Sequence, residues 1–233
     1  MQTERKWTER KWMESEQFPR LDRDFFTRDG ITVAKELLGK IMIHETPYGT
    51  VRGIVTEVES YMGENDKGSH TYGGRRTERT EPMYHIGGTS YVYLIYGMYS
   101  CMNVACMTDG IPQAVLLRSV VPADPESKRI MQMLRLAPVN SRQEKQGKPL
   151  YTIEKLPDSI RKHLADGPGK LCIAMDITRA DNDIDMVESD RFYFTEGLEI
   201  LPEQIKAGKR IGIDYAEEAA DYLWRFYVEQ LEW

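Results

Sequence analysis

Glu57, Glu59 and Tyr61 stand two residues apart in the segment TEVESYMG. In an extended chain such residues share one face, about 6.5 to 7 Å from each other, so the spacing predicts two carboxylates and a phenol side by side. Carboxylates in an apolar strand are costly unless each has a partner, and one of them can have its pKa raised. A general base that activates water, with Tyr61 beside it, fits this pattern. A solvated face, or a salt bridge from one carboxylate to an arginine, accounts for the same residues. His70 follows in a loop with Gly68, Gly73 and Gly74, where backbone without Cβ atoms can approach a ligand closely; a lone histidine in such a loop is more often incidental than catalytic. The chemistry these residues offer, if they act, is activation of water by a carboxylate.

Two further clusters bear on the substrate. The run YVYLIYGMYS, residues 91–100, holds Tyr91, Tyr93, Tyr96 and Tyr99, four of thirteen tyrosines, broken by Gly97. Alternation puts Tyr91 and Tyr93 on one strand face and Tyr96 on the other, just before the chain turns. The segment GGRRTERT brings Arg75, Arg76 and Arg79 together. A carboxylate pair is also compatible with a sugar hydrolase, but aromatic rings beside arginines suit bases and phosphates better than a neutral polysaccharide.

The surrounding pattern predicts the elements that must hold these groups. DRDFFTRDGITVAKELLGK reads as one helix with Val33, Leu37 and Leu38 on a shared face and Gly39 as its stop. KIMIHET and VRGIVTEVESYM read as strands joined by the turn formers of PYG. TSYVYLIYGMYSCMNVACM gives two apolar stretches about Gly97, QAVLLRSVVP another strand, and DPESKRIMQMLRL a helix with Asp124 as its cap. Residues 138–165 read as polar and irregular, RFYFTEG and RIGID as strands, and AEEAADYLWRFYVEQLEW as ambiguous between helix and strand. Strands and helices mix without a βαβ rhythm, which predicts a single α+β domain with a mainly antiparallel sheet. That domain is expected over residues 18–233, after a mobile charged tail, 1–17, that contains the repeat TERKWTERKW.

Composition narrows the classes. At 233 residues and 41% hydrophobic the chain can bury one sizeable core. No apolar run approaches the roughly 18 to 20 residues of a membrane span, and the charged N-terminus lacks the apolar stretch of a secretory signal. A soluble, cytoplasmic protein is expected, with no membrane partner. Cys101, Cys106 and Cys172 form no metal-ligand spacing with the four histidines and read as reduced packing residues, so no metal site is expected. A net charge of −6 and a pI near 5.4 argue against an indiscriminate polyanion binder, yet leave room for a locally basic face.

The ordered run VTEVESYMGENDKGSHTYGGRRTERTEPMY, then GGTSYVYLIYGMYSCMNVA, QAVLLRSVVP and DGPGKLCIAMDI closely resembles the alkyladenine (3-methyladenine) DNA glycosylase family, from about Phe25 to Val228. The resemblance implies a curved antiparallel sheet flanked by helices with a protruding β-hairpin. It implies a monomeric, monofunctional DNA repair enzyme that needs no cofactor, extrudes damaged purines from double-stranded DNA and leaves an abasic site. Such an enzyme would be associated with the nucleoid in a bacterium or the nucleus in a eukaryote. Glu59 takes the position of the general base, and Arg118 that of an arginine near the catalytic water and the DNA backbone. Tyr61, His70 and Tyr93 match the walls of the base pocket, and Asn103 the residue that crowds the 2-amino group of normal guanine. Tyr96 matches the intercalating wedge, with Met98 beside it, and Arg75, Arg76 and Arg79 fall where phosphate contacts are expected. Glu57 reads as a partner to an arginine or part of Glu59's surroundings. The 3–12 repeat, residues 138–165, the length of TDGIPQA and Leu223 depart from the family pattern, and none touches the expected base, pocket or wedge. A catalytically silent nucleic-acid-binding module that keeps the tyrosine hairpin is the alternative.

Overall fold

In the computed structural model, residues 18–95 and 97–229 are described. Eight antiparallel strands form one curled sheet: β1 (Ile41–Thr46), β2 (Gly49–Tyr61), β3 (Ser90–Ile95), β4 (Tyr99–Cys106), β5 (Gln113–Pro122), β6 (Phe192–Thr195), β7 (Ile205–Gly208) and β8 (Arg225–Val228). The main order is β3-β4-β5-β2-β1-β6, with β8 paired to both β2 and β7. Short helices α1 (Arg23–Phe26) and α2 (Gly30–Leu37), the long α3 (Pro125–Lys145), and α4 (Asp158–Arg161) and α5 (Pro168–Ala174) complete an α+β fold. Among the described residues no helix is long and apolar enough to cross a membrane.

Alternation sorts the strand residues onto two covered faces. Val58, Val92, Met102, Val104, Val115 and Leu117 join the main core with Val33 and Leu37 of α2, Ile130, Met131 and Leu134 of α3, and Leu171 of α5. The intervening positions, Tyr91, Tyr93, Asn103, Leu116, Arg118, Glu59 and Tyr61, face the other way. On that side sit smaller apolar clusters: Ile41, Ile43 and Ile54 with Ala123 and Leu198, Met83 with Tyr91 and Ala114, and Ile213 with Ala216 and Ala219 against Tyr61.

The thirteen-residue β2 organises the sheet. One edge pairs with β5 along most of its length, while the other pairs with β1 through residues 49–54 and then with β8 through Glu57–Glu59. The register with β5 slips on both sides of Glu57. Such irregularities add twist and bend a strand, so the change of neighbour coincides with the curl that gathers the carboxylates, the tyrosines and β8.

Three local expectations give way to stronger physics. The first helix is two: Asp22 caps α1 by accepting from the Phe25 amide, and Asp29 caps α2 by accepting from the Ile31 and Thr32 amides, so a second cap restarts the helix instead of prolonging it. Residues 138–145 are not irregular but the end of α3, which runs through Pro138. The strong helix formers after Pro138 outweigh a single missing amide, and Asn140 clamps the following loop through paired hydrogen bonds with the Tyr151 backbone at 2.9 and 3.0 Å. RIGID is not a strand: β7 precedes it, and Gly212 adopts φ +80° in the loop. The ambiguous C-terminal stretch resolves into a short 3-10 turn, Glu217–Asp221, followed by β8. By contrast the Asp124 cap is as expected, its carboxylate accepting from the Ser127 amide at 2.7 Å.

Gly39, expected as a helix stop, has φ +85°, and a Cβ placed there would lie 2.4 Å from the Leu198 carbonyl oxygen. Because the obstacle is backbone, side-chain motion cannot relieve it. Gly39→Ala is therefore expected to lower the unfolding free energy by more than about 1 kcal/mol, as read from a urea denaturation midpoint.

Candidate active site

Glu59 is fully buried, with no exposed side-chain surface. A carboxylate taken from water needs donors, and three reach it. The Ile211 amide donates to Oε1 at 2.8 Å, Arg118 Nη1 lies 3.2 Å from the same oxygen, and Tyr61 Oη donates to Oε2 at 2.9 Å. Burial pushes its pKa above the usual carboxylate value, with Arg118 the strongest opposing influence. The result is a carboxylate with raised proton affinity, held in a fixed orientation. Tyr61's own pKa is pushed up by burial and by the adjacent Glu59 charge, which keeps its hydroxyl a donor.

Arg118 is shared. Its Nε donates to Glu57 Oε1 at 3.1 Å, and Glu57 also receives Arg225 Nη1 at 3.0 Å. Glu57 is thus an arginine partner, as its position suggested. The three acidic and phenolic groups of TEVESY do share one side, although the bulge at Glu57 makes its neighbours differ from those of Glu59.

A cross-strand row places the remaining groups. Tyr91 of β3 is opposite Asn103 of β4, Asn103 opposite Leu116 of β5, and Leu116 opposite Glu59 of β2. Asn103 is buried, and its Nδ2 donates to the Tyr91 carbonyl at 3.1 Å. With strands spaced about 4.8 Å apart, Asn103 and Glu59 stand about 10 Å apart on one face.

Tyr93 and His70 pack edge to face with centroids 4.7 Å apart, Tyr91 and Tyr93 are 5.1 Å apart, and His70 Nδ1 shares a 2.9 Å hydrogen bond with Tyr91 Oη. Tyr91 is the buried support while Tyr93, His70 and Tyr61 remain half-buried. Burial, reinforced by the charges of Arg79 and Arg75, depresses the His70 pKa to about 4.

The three loop arginines part company. Arg79 is exposed and lies over the Tyr93 ring at 5.0 Å. Arg75 is exposed too, and among the described residues neither has an acidic partner. Arg76 is already engaged, its Nε donating to Glu81 at 2.9 Å and its guanidinium stacking on Tyr84. A cavity of about 280 Å³ beside His70 is lined by Lys67, Arg75, Arg79 and Tyr215 among others. At the hairpin tip Gly97 has φ +66° and Met98 is 69% exposed; Tyr96 lies outside the described residues. Cys101, Cys106 and Cys172 are free and buried.

Several contributors had no signal in the sequence. Arg210 lies buried between Asp66, 2.7 Å from its Nη2, and the Ser60 carbonyl, and its guanidinium stacks on Tyr61 at 4.7 Å. This pair fixes the loop whose next amide, that of Ile211, binds Glu59. Gly68 serves the same pair: a Cβ there would come within 2.9 Å of Arg210 Nη2. Its missing side chain makes room for the guanidinium rather than for a ligand. Backbone donors and contacts between residues some 144 apart carry no local pattern.

A curled antiparallel sheet thus holds a buried, hydrogen-bonded carboxylate among aromatic rings and exposed arginines. The family model described as methylpurine-DNA glycosylase matches residues 24–232. The chain belongs to the methylpurine-DNA glycosylase family, whose members act in DNA repair. It is 47% identical over 210 residues to a protein of Clostridium acetobutylicum named as a candidate 3-methyladenine DNA glycosylase, covering 90% of this chain and 94% of the relative. Proteins of the same name from Clostridium novyi and Clostridium tetani are 45% and 42% identical, covering 90% and 92% of this chain and 95% and 98% of theirs.

His70 provides a test of the pocket's electrostatics. Its imidazole signals are expected to stay those of the neutral ring from pH 8 to 5 in an NMR titration. Because the unfolded histidine takes a proton near pH 6.5 and the folded one only near 4, the contribution is full above 6.5. It is lost progressively as pH falls from 6.5 to 4.

Proposed function

We propose that this chain excises 3-methyladenine-type purines from duplex DNA, with the damaged nucleotide turned out of the helix and Glu59 activating the attacking water. The buried Glu59, oriented by Ile211, Arg118 and Tyr61, carries this reading. Its raised proton affinity suits a base that takes a proton from water. As the purine leaves, the sugar becomes oxocarbenium-like, and an anion in a dry site stabilises that charge. An alkylated purine is cationic and leaves readily, so no covalent amine intermediate is needed and the product is an uncut abasic site.

The pocket walls fit an electron-poor purine. The faces of Tyr61 and Tyr93 offer stacking and cation–π attraction to an extruded base, and a His70 held neutral adds no positive charge against it. Asn103 is tied to the Tyr91 carbonyl, which suits a residue that crowds the 2-amino group of undamaged guanine without swinging aside. Arg75 and Arg79, with charges left unmatched among the described residues, are the stronger phosphate contacts, and Arg76 the weaker because Glu81 holds it. Tyr96 is the proposed wedge and Met98 its exposed neighbour. The enzyme acts as a monomer on damaged double-stranded DNA.

Single-turnover excision from duplexes carrying 3-methyladenine, 7-methylguanine, hypoxanthine or ethenoadenine tests the proposal and ranks the lesions. Glu59→Gln is expected to slow base release by about a hundredfold or more while leaving lesion binding largely intact. A wild-type protein that binds these duplexes yet releases no base is a binding module instead, and normal excision by Glu59→Gln removes Glu59 from its role. Tyr96→Ser is expected to weaken binding to lesion-containing duplex, since a wedge offsets unstacking worth about a few kcal/mol; unchanged affinity gives the hairpin another task.

A further inference from the structure

The chemistry above uses Glu59 and Arg118 and leaves two charged groups on the same face without a task. Arg118 is forked between carboxylates, Nε to Glu57 at 3.1 Å and Nη1 to Glu59 at 3.2 Å. Glu57 Oε1, already bound to Arg118, also accepts from Arg225 Nη1 at 3.0 Å. Arg225 is itself held, its Nε donating to the Lys209 carbonyl at 2.8 Å and its guanidinium lying over Tyr227. Four charges therefore alternate in sign through direct contacts, Glu59, Arg118, Glu57, Arg225.

We propose that Glu57 and Arg225 are positioning residues that apportion Arg118 between two carboxylates and thereby set the proton affinity of Glu59. This rests on Glu59 being the general base. A guanidinium committed to a single carboxylate forms a paired fork that stabilises the anion strongly, and an anion so stabilised is a poor base. Glu57 draws away part of Arg118 and adds its own negative charge two residues from Glu59 on the same strand. Arg225 works in the opposite sense, by satisfying part of Glu57's demand for a cation.

The other groups around Glu59 do not duplicate this effect. From its own strand Tyr61 donates a neutral hydroxyl, and from β3 and β4 the half-buried Tyr93 and buried Cys101 have pKa values that desolvation pushes up, leaving them uncharged near neutrality. From the loop after β7 come the Ile211 amide and Arg210, whose charge Asp66 matches directly. With Arg210 and Asp66 set against each other, the balance near Glu59 is two carboxylates and two guanidinium groups. Removing Glu57's charge leaves an excess of one cation, and removing Arg225's leaves an excess of one anion.

The two deletions must therefore move the base in opposite directions. With 7-methylguanine as the lesion, cationic across the acid range, departure of the base needs no proton from the enzyme. The fall in single-turnover rate at low pH then reports protonation of Glu59. Glu57→Gln is expected to move that acid limb down by about one pH unit and Arg225→Met to move it up, while Glu57→Asp restores most of the wild-type profile. A slower rate with an unmoved limb in Glu57→Gln means a purely structural role and overturns the inference. So does a shift of the same sign in both variants. Glu57 is partly exposed, at 20% of its side chain, so its amide variant keeps the test usable if Arg225→Met fails to fold. Normal excision by Glu59→Gln strikes the assignment of the base itself. Loss of excision in that variant with an unmoved limb in Glu57→Gln strikes only the apportioning.

Discussion

A carboxylate without exposed surface, placed in the interior of an eight-stranded sheet, has to be matched by donors or be forced neutral. Much of the architecture around Glu59 answers that demand. Arg118 arrives from β5, the Tyr61 hydroxyl from two residues along the same strand, and the Ile211 amide from a loop 152 residues away. Each donor brings its own requirements: the bulge in β2, the opening of one β2 edge to β8, and the buried Arg210–Asp66 pair that pins the loop.

The same sheet separates rigidity from chemistry. Its inner face is a continuous apolar core closed by α2, α3 and α5, whereas its outer face sets Tyr91, Asn103, Leu116 and Glu59 in a single cross-strand row, over which a loop brings the His70 imidazole. Neighbouring strand positions thus serve opposite ends. Val58 packs in the core while Glu57 and Glu59 on either side hold arginines. A slip of one residue would bury the charges in the core and expose the valines, so the hydrophobic pattern that stabilises the fold also fixes the register of the site.

The parts legible in the sequence were those with local causes. Period-two alternation marked β2 through β5, Gly97 marked the hairpin break, and Asp124 marked the start of α3. The grouping of Glu57, Glu59 and Tyr61 followed from spacing alone, and the mutual packing of Tyr91 and Tyr93 from alternation. The roles proposed for His70, Asn103 and Arg118 needed the family resemblance, because nothing in their immediate sequence tells an incidental polar residue from a functional one. Arg210, Asp66 and the Ile211 amide were out of reach. An apolar-looking RIGID resembles a strand when the guanidinium's partner lies 144 residues away. Residues 138–145 misled for the opposite reason: proline and polarity suggested a break, but an exposed helix end needs no apolar stripe.

The change of neighbour along β2 has a consequence for the order of events in the molecule's life. β1 and β2 form a local hairpin, whereas β8 and the loop before it must close across most of the chain, and such long-range pairings form late. The sheet's first half can thus be in place while Glu59 still lacks its amide donor and Glu57 its second arginine. On the role proposed for Glu59, competence arrives with the C-terminal edge. By the same logic, if Glu59 is the base, fraying that starts there silences the enzyme while most of the sheet still stands, so that lost activity is an early sign of unfolding rather than its last stage.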